Sequence, residues 1–411
     1  MLYPHQHEGV AFLIARVRAY LADVCGLGKT IQGLVALREV GARRVLTITT
    51  ASSVPQWYEE NEKWGDFKVF QAISYAAPGL HAGAVNGREW DAVVLDEAHY
   101  TKNWKAKRTK AALKVAAAAP RTILLSATPM PNHPGELWAI FRRLWPELMK
   151  PEYREYWDWM KYFTKYRMHP TYGVQVYGVQ NTKELRRLLS LVMLRRHLDE
   201  VDLPPLRITL HMLAQDDGFE QSIAQLGGDA GALLAAIEQE KNAETKSSAR
   251  LRRLMGEYKA PRVGEIIASE LEERQYDKIV VAYHHRAAGD VLRKALGKFG
   301  LVGIDGRTTL AQRKVAASEF THSPKVRVFL AQQQAAGEAL NLQASSEMAI
   351  AEPPWTPDAL IQVVGRIHRI GQGRPCRARV FGVAGSMDAG IMRLLAEKAS
   401  RKRAAGLTQG E

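Results

Sequence analysis

The sequence predicts an α/β protein with two lobes, each built on a parallel β-sheet covered by helices on both faces. At 411 residues the chain is long enough for two or three domains. Apolar, β-rich runs recur in both halves, at residues 45–49, 68–73, 92–95 and 122–125, and again at residues 278–282, 326–330, 348–351 and 379–383. Helical stretches separate these runs. Continuous apolar strands that alternate with helices are typical of parallel sheets buried on both faces.

The stretch between about residue 142 and residue 262 differs from both halves because it is rich in helix formers and charge. Within it, residues 238–246 and 250–259 have the pattern of solvated helices. The predicted organisation is a first lobe over residues 1–200 with a helical insertion at about 142–190, a helical linker over 201–262, a second lobe over 263–397, and a polar tail over 398–411. A polar tail of this kind is expected to fray.

The charge balance favours a polyanionic partner. Lysine and arginine together number 57 against 43 acidic residues, which gives a formal net charge of +14. Such a balance points to nucleic acid before a membrane surface. The alternative is a basic surface that serves only solubility. The hydrophobic fraction of 46% is ample for two sizeable cores.

Cysteine usage and the chain start indicate the compartment. Two cysteines, Cys25 and Cys376, are too few for a disulfide scaffold or a zinc module and favour a reducing compartment. The first residues have no signal-peptide pattern, and no apolar run is long enough to span a bilayer. We therefore expect a cytoplasmic protein without a membrane partner.

A candidate phosphate-binding loop lies near the amino terminus. Residues 23–30, Asp-Val-Cys-Gly-Leu-Gly-Lys-Thr, precede a helical stretch at residues 31–40. Small glycines allow backbone N–H groups to face phosphates, Lys29 supplies positive charge, and the hydroxyl of Thr30 can reach Mg²⁺. Asp23 replaces the first glycine of the usual pattern, and an ordinary glycine turn is the alternative interpretation.

A carboxylate pair follows the apolar run at residues 92–95. Asp96 at the carboxyl end of a strand can hold Mg²⁺, while Glu97 can orient and deprotonate an attacking water. An isolated Asp-Glu after a strand is usually a polar strand end, but here it follows a phosphate loop. His99 has two interpretations, a contact to the nucleotide or coupling network and a satisfied structural histidine.

Two arginines near the carboxyl end, Arg366 and Arg369, are three residues apart and on a helix would share a face. A guanidinium keeps its charge and spreads it in a planar fork, which suits the transition state of phosphoryl transfer. A surface arginine pair is the alternative.

Aromatic and basic side chains alternate in the insertion. The aromatic ones are Tyr153, Tyr156, Trp157, Trp159, Tyr162, Phe163 and Tyr166. They form either a DNA-gripping protrusion or, for Tyr153, Trp157 and Phe163, the core face of a helical hairpin. His284 and His285 end an apolar strand, and a metal site there is not expected because no cysteine or carboxylate cluster accompanies them in the sequence.

At this point the residues resemble the Swi/Snf-related DNA translocases of helicase superfamily two, and the match extends over nearly the whole chain. In the first half the matching segments are residues 3–6 with 9–13 (the adenine-sensing Gln motif), 26–32 (motif I), 51–57 (motif Ia), 96–99 with 102–103 (motif II, Asp-Glu-Ala-His), 126–129 (motif III), and 194–196 with 203–205 (the segment that joins the lobes).

In the second half the matching segments are residues 304–306 with Arg313 and Phe320 (motif IV region), 337–342 (motif V), and Gln362 with 365–372 (motif VI). Motif VI and the compact layout are most similar to the annealing-helicase-like branch and its short bacterial and phage relatives. Departures are Val24 and Cys25 before the phosphate loop, Thr50 and Ser53 in motif Ia, and Ala339 in motif V, where glycine is usual.

The resemblance implies two RecA-like lobes with helical insertions at their junction, using ATP and Mg²⁺. The implied nucleotide-binding residues are Gln6, Gly26, Leu27, Gly28, Lys29 and Thr30, and the implied metal ligands are Thr30 and Asp96. The implied catalytic residues are Glu97, Arg366 and Arg369, with the arginines of the second lobe completing a site built on the first. The implied coupling residues are His99, Ser126, Ala127, Thr128 and Gln362.

The implied partner is double-stranded DNA, touched mostly at its backbone by Ser52, Gly337, Glu338 and Asn341. The expected protein is a monomeric DNA-dependent ATPase that translocates along duplex DNA in a prokaryotic or phage-infected cytoplasm. Remodelling or reannealing of DNA structures is the purpose that the resemblance suggests. Two alternatives stay open: a strand-separating helicase, and an ATP-gated DNA-binding subunit of a larger complex.

Overall fold

The computed structural model describes residues 2–81, 89–169, 173–196, 203–216, 246–333, 340–354, 356–386 and 388–392. The chain divides into two compact units between Asp202 and Leu203. We call them the first lobe and the second lobe.

The first lobe is built on a six-stranded sheet in which every neighbouring pair is parallel. Its strands are β1 (Arg18–Leu21), β2 (Arg44–Thr49), β3 (Val69–Ser74), β4 (Ala92–Asp96), β5 (Arg121–Leu125) and β8 (Met193–Leu194), in the order β3-β2-β4-β5-β1-β8. A separate antiparallel hairpin pairs β6 (Thr164–His169) with β7 (Gly173–Val179).

Helices cover both faces of this sheet. They are α1 (Pro4–Ile14), α2 (Lys29–Glu39), α3 (Val54–Glu60), α4 (Pro78–His81), α5 (Lys107–Ala118), α6 (Trp138–Leu144), α7 (Tyr156–Phe163) and α8 (Thr182–Val192). Alternate residues of β2 enter different cores: Leu46 and Ile48 join one buried cluster and Val45 joins the other. Burial on both faces explains why the strands are continuous apolar runs.

The second lobe repeats the plan with six parallel strands. They are β9 (Leu206–Leu213), β10 (Ile279–Tyr283), β11 (Leu301–Ile304), β12 (Val328–Gln332), β13 (Glu347–Ile350) and β14 (Cys376–Val383), in the order β11-β12-β10-β13-β14-β9. The flanking helices are α9 (Lys246–Glu272), α10 (Arg286–Leu296), α11 (Leu310–His322) and α12 (Pro357–Val364). The predicted α/β class is confirmed.

The prediction of a helical linker over residues 201–262 was wrong at its start. Leu206–Leu213 is the edge strand β9, which pairs along its whole length with β14. Its alternate residues are exposed, as expected for an edge strand. Short strands with few apolar residues, such as β1, β8 and β11, were also missed because their runs are too brief to stand out.

The predicted solvated helix at residues 250–259 is instead part of α9 and is largely buried. Leu251, Met255 and Lys259 are each about 1% exposed. The buried ammonium of Lys259 contacts the carboxylate of Asp388 at 2.7 Å. Most of the other predicted solvated helix, residues 238–246, lies outside the described residues, as does the tail.

The insertion predicted as helical at about residues 142–190 contains α7 and α8 but also the β6–β7 hairpin. Tyr153 and Phe163 are fully buried and belong to the core of the first lobe, whereas Trp157 is 44% exposed. The alternative in which all three formed a core face was therefore right for two of them. None of the described helices is long and apolar enough to cross a bilayer.

Candidate active site

The predicted phosphate loop joins β1 to α2. Gly26 and Gly28 have φ angles of 96° and 72°, in the left-handed region that glycine adopts without strain. Gly28 immediately precedes α2, whose first N–H groups have no partner within the helix and form an anion site. A Cβ added to Gly28 would lie 2.3 Å from Nε2 of Gln6. The predicted Gln motif thus packs directly on the loop.

Side chains of α1 and α2 contact backbone carbonyl groups of the loop. Nε2 of Gln6 donates to the carbonyl of Leu27 at 3.4 Å, and Nε2 of Gln32 donates to the same oxygen at 2.9 Å. The ammonium of Lys29 donates to the carbonyls of Asp23 and Val24 at 2.7 and 3.2 Å. The predicted nucleotide-binding residues are therefore brought together around one loop.

Asp23, the residue that departs from the usual glycine, is fully buried and paired with Arg196. Nε of Arg196 donates to Oδ1 at 3.1 Å and Nη2 donates to Oδ2 at 2.5 Å. Nη2 also donates to Oε1 of Gln32, and Nη1 donates to the carbonyl of His5. One guanidinium thus joins the Gln motif, the loop and α2.

Sequence reasoning missed this pair. A buried carboxylate requires a partner. An acidic residue directly after an apolar strand is therefore a signal from which such a pair could have been predicted. The partner itself, however, lies 173 residues away in the chain.

The neighbouring Arg195 donates from Nη1 to the carbonyls of Ala22 and Ala127, so the predicted coupling residue Ala127 is tied to the same segment.

Asp96, the predicted metal ligand, is the last residue of β4. Oδ2 accepts hydrogen bonds from Oγ1 of Thr49 at 2.7 Å and Nε1 of Trp57 at 2.8 Å. Neither partner was predicted. Burial, followed by the charge of Glu97, raises the pKa of Asp96, and these effects outweigh the two hydrogen bonds and the charge of Lys29.

Glu97, the predicted general base, has a φ of 48°, a left-handed conformation that is strained in residues other than glycine. Nδ1 of His99 lies 3.2 Å from Oε2 of Glu97 and 2.9 Å from Oγ of Ser126. Oγ1 of Thr128 lies 3.1 Å from the same Nδ1. Three predicted coupling residues therefore contact the predicted base or each other, and His99 is at their centre.

In the second lobe the prediction that Arg366 and Arg369 share a helix face was wrong. Helix α12, which carries the half-buried Gln362, ends at Val364, and the arginines lie in the turns that follow. The carbonyl of Arg366 accepts from the N–H of Leu342 at 3.0 Å, and Nε2 of the buried His368 contacts the carbonyl of Pro204 at 2.7 Å. With these contacts, the backbone after Val364 does not continue as a helix.

The predicted DNA-contact residues are described only in part. Ser52 lies in the turn before α3, with Oγ 3.1 Å from Oγ1 of Thr50. Asn341 is exposed and accepts from the N–H of Gln343 at 3.2 Å. Gly337 and Glu338 lie outside the described residues.

The paired histidines that follow β10 have one carboxylate neighbour, which the sequence did not reveal. Glu352, 1% exposed, accepts from the N–H groups of His284 and His285 at 2.8 and 2.9 Å. Its Oε2 is 2.6 Å from Nδ1 of His285. Burial, with the nearby charge of Arg252, lowers the pKa of His284 to about 4. Glu352 lies beside the histidines in the folded chain although it is distant from them in the sequence.

Comparison with known families accounts for this architecture. The SNF2-related domain matches residues 72–255, and the helicase conserved C-terminal domain matches residues 259–371. The chain therefore carries an SNF2-related domain followed by a helicase conserved C-terminal domain. Its two parallel six-stranded sheets with flanking helices are the two RecA-like lobes that the resemblance implied.

Individual relatives match across both lobes. The SWI/SNF-related matrix-associated actin-dependent regulator of chromatin subfamily A-like protein 1 of Xenopus laevis is 28% identical over 99% of this chain and 44% of its own length. The DNA annealing helicase and endonuclease ZRANB3 of Homo sapiens is 28% identical over 97% of this chain and 40% of its own length. The chain thus spans about half the length, or less, of these relatives.

A solved structure, the Sulfolobus solfataricus SWI2/SNF2 ATPase core in complex with dsDNA, aligns with a TM-score of 0.45 at 22% identity, covering 99% of this chain and 93% of that one. At that TM-score the structural similarity carries no argument about the family. The curated relatives named above are eukaryotic. The bacterial or phage origin inferred from the compact motif layout stays a prediction.

Proposed function

We propose that the chain is a DNA-dependent ATPase that couples ATP hydrolysis to translocation along double-stranded DNA. The observation that carries the proposal is the contact of Glu97 and Ser126 with one His99 nitrogen, at 3.2 and 2.9 Å. It joins the carboxylate proposed to activate water to the segment proposed to sense DNA. A change at either end is transmitted through these two contacts.

The residues present fit a nucleotide with Mg²⁺. The Thr30 hydroxyl and the Asp96 carboxylate are hard oxygen donors of the kind that Mg²⁺ prefers. Among the described residues, both hydrogen bonds to the Asp96 carboxylate fall on Oδ2, which leaves Oδ1 for a cation. Thr30 and Asp96 would hold Mg²⁺, which would supply positive charge to the bound phosphates.

Within this assignment each side chain has one task. Gly26, Leu27, Gly28 and Lys29 belong to the loop that binds the nucleotide, and Gln6 of α1 binds the nucleotide beside it. Glu97 takes the proton of the attacking water. Arg366 and Arg369 stabilise negative charge that develops on the transferred phosphoryl group, and Gln362 belongs to the same segment.

Two observations support DNA as the partner. The net charge of +14 favours a polyanion, and one relative at 28% identity carries the name of a DNA annealing helicase. We assign Ser52, Gly337, Glu338 and Asn341 to backbone contacts, which fix position but carry little sequence information. A monomeric state and a cytoplasmic location stay predictions.

The test is the ATPase rate measured side by side with duplex DNA, single-stranded DNA, forked DNA and RNA. We expect duplex DNA to stimulate turnover most strongly. Stimulation by single strands alone would favour a strand-separating helicase. Nucleotide-dependent DNA binding without turnover would favour an ATP-gated binding subunit and would overturn the proposal.

A further inference from the structure

A cavity of about 330 Å³ opens on the first lobe, a few residues beyond the carboxylate pair. Its lining includes Lys102, Trp104, Lys105, His133, Tyr156 and Trp157. The side chains come from the loop before α5, the loop after β5 and the start of α7. The ATP-site assignment uses none of these six side chains.

The aromatic rings of the cavity are held in place from behind. The ring centroids of Trp104 and Tyr156 are 5.1 Å apart, and Trp138 packs edge-on against both at 5.5 Å. Trp157 lies 5.2 Å from Tyr156 and is 44% exposed. A fixed, exposed indole beside a cavity is suited to stacking on another planar ring.

Positive charge surrounds these rings. Residues 102–110 include five cations, Lys102, Lys105, Lys107, Arg108 and Lys110, and no acidic residue. Nζ of Lys105 lies 5.3 Å from the ring centre of Trp104. The acidic lining residue, Glu136, is 7% exposed; Asn132 donates to both of its carboxylate oxygens at 2.8 and 2.7 Å, and Nζ of Lys102 lies 3.9 Å from its Oε1. The cavity therefore combines the half-buried Lys102 and the exposed Lys105 with aromatic faces.

We propose that this cavity binds one unpaired nucleotide of a DNA strand. The base stacks on Trp157 and Trp104, and the adjoining phosphate contacts Lys105 and Lys102. In the interior of a duplex each base face is covered by the neighbouring pair, so away from the duplex ends only an unpaired base can offer a face to an indole. The inference rests on the proposed function in one respect, that DNA is the polymer bound.

The experiment compares three labelled DNAs by fluorescence anisotropy: a blunt duplex, the same duplex with an oligo-dT tail, and oligo-dT alone. The test variant is Trp157→Ala, and the matched control is Tyr177→Ala, which removes a 54% exposed aromatic outside the cavity. Both positions are exposed, so neither substitution opens a core cavity. Circular dichroism verifies the fold of each variant.

We expect Trp157→Ala to weaken binding of the tailed duplex and of oligo-dT by about 5-fold to 150-fold, the range of one lost base–aromatic stack. Blunt-duplex affinity should change by less than about twofold, well below one such stack. Tyr177→Ala should leave all three affinities unchanged. Lys105→Ala should reduce the salt dependence of oligo-dT binding by about 0.7 in log–log slope, one phosphate contact, whereas Lys114→Ala, an exposed lysine of α5 outside the cavity, should not.

The outcomes separate this inference from the proposed function. Binding of the blunt duplex with no effect of Trp157→Ala on the tailed duplex would overturn the cavity assignment alone. Equal losses on blunt and tailed duplexes would also overturn it, since the ring would then grip paired DNA. Failure of the wild-type chain to bind any DNA would overturn the proposed function first. Displacement by an acidic peptide but not by oligo-dT would assign the cavity to a protein partner.

Discussion

The guanidinium of Arg196 and the carboxylate of Asp23 form a buried ion pair, with Nη2 and Oδ2 2.5 Å apart. Asp23 opens the phosphate loop after β1. Arg196 follows β8, the strand that pairs with β1. Parallel pairing of these two strands therefore places both ends of the ion pair at the same edge of the sheet. Arg196, at the end of a described range of the first lobe, therefore lies beside the phosphate loop.

Arg196→Met should destabilise the first lobe severely because it leaves the Asp23 carboxylate buried without its cation. Breaking one side of a buried pair costs about 3–5 kcal/mol. The double variant Asp23→Asn/Arg196→Met should recover part of the loss, since it removes both charges. Urea unfolding measures both, with Arg143→Met, an exposed arginine, as the control. Equal destabilisation by Arg196→Met and Arg143→Met would contradict the structural role of the pair.

Sequence predicted four first-lobe strands, of which β2, β4 and β5 are largely buried and the edge strand β3 is only partly buried. Residues 45–49 and 92–95 became β2 and β4 to within one residue at either end. β9 was missed because Arg207, Thr209 and His211 interrupt its apolar residues, whereas the strand predictions rested on continuous apolar runs.

The candidate site also contains some residues that sequence could identify and others that it could not. The residues of each motif are consecutive in the chain. Gly26 to Thr30 and Asp96 to His99 could therefore be recognised from their order alone. The partners of Asp96, Thr49 and Trp57, lie 47 and 39 residues away and come from ordinary positions in a strand and a helix. The helical geometry assigned to Arg366 and Arg369 failed because spacing alone does not reveal where a helix ends.

Lys29→Ala and Glu97→Gln should separate nucleotide binding from hydrolysis. Lys29→Ala removes the principal cation of the loop, so ATP affinity and turnover should both be lost. Glu97→Gln keeps the loop but removes the proton acceptor, so ATP affinity should persist while turnover falls. Nucleotide affinity and phosphate release are measured separately, with exposed Lys63→Ala as the control. A Glu97→Gln protein with near-normal turnover would remove Glu97 from its assigned role.

Asp96 should make stability and Mg²⁺ binding depend on pH in opposite ways. Because its pKa is raised in the folded protein, ionised Asp96 disfavours folding, and the stabilisation from its protonated form is lost as pH rises through that pKa. Asp96→Asn should therefore raise the Tm at neutral pH and abolish stabilisation by Mg²⁺. The gain should shrink at acidic pH. Exposed Glu62→Gln serves as the control. A lower Tm for Asp96→Asn at neutral pH would refute the assignment.

Arg366→Ala should depress kcat with little change in KM for ATP, because a finger arginine acts mainly on developing charge. Losses of this kind run to about 10³-fold to 10⁵-fold. Steady-state ATPase assays with saturating duplex DNA measure both constants. Arg374→Ala, an exposed arginine in the same region, is the matched control. A raised KM with unchanged kcat would make Arg366 a ground-state binder.

Movement along duplex DNA without processive strand separation is the final expectation. Separating strands costs about 1.4 kcal/mol for each base-pair step, and it requires an element that splits stacked pairs. The exposed ring of Trp157 is a candidate for such an element. However, the Trp157 ring can stack on a base that is already unpaired without opening a duplex. Two assays distinguish these roles, namely displacement of a third strand from a triplex and release of a labelled strand from a fork.

We expect ATP-dependent triplex displacement together with little strand release from the fork. Glu97→Gln should abolish displacement, which ties the movement to hydrolysis rather than to binding. Trp157→Ala should leave displacement on a fully paired track unchanged, because such a track presents no unpaired base. Efficient release over tens of base pairs, lost in Trp157→Ala but kept in Tyr177→Ala, would instead identify a strand-separating helicase with Trp157 as its wedge.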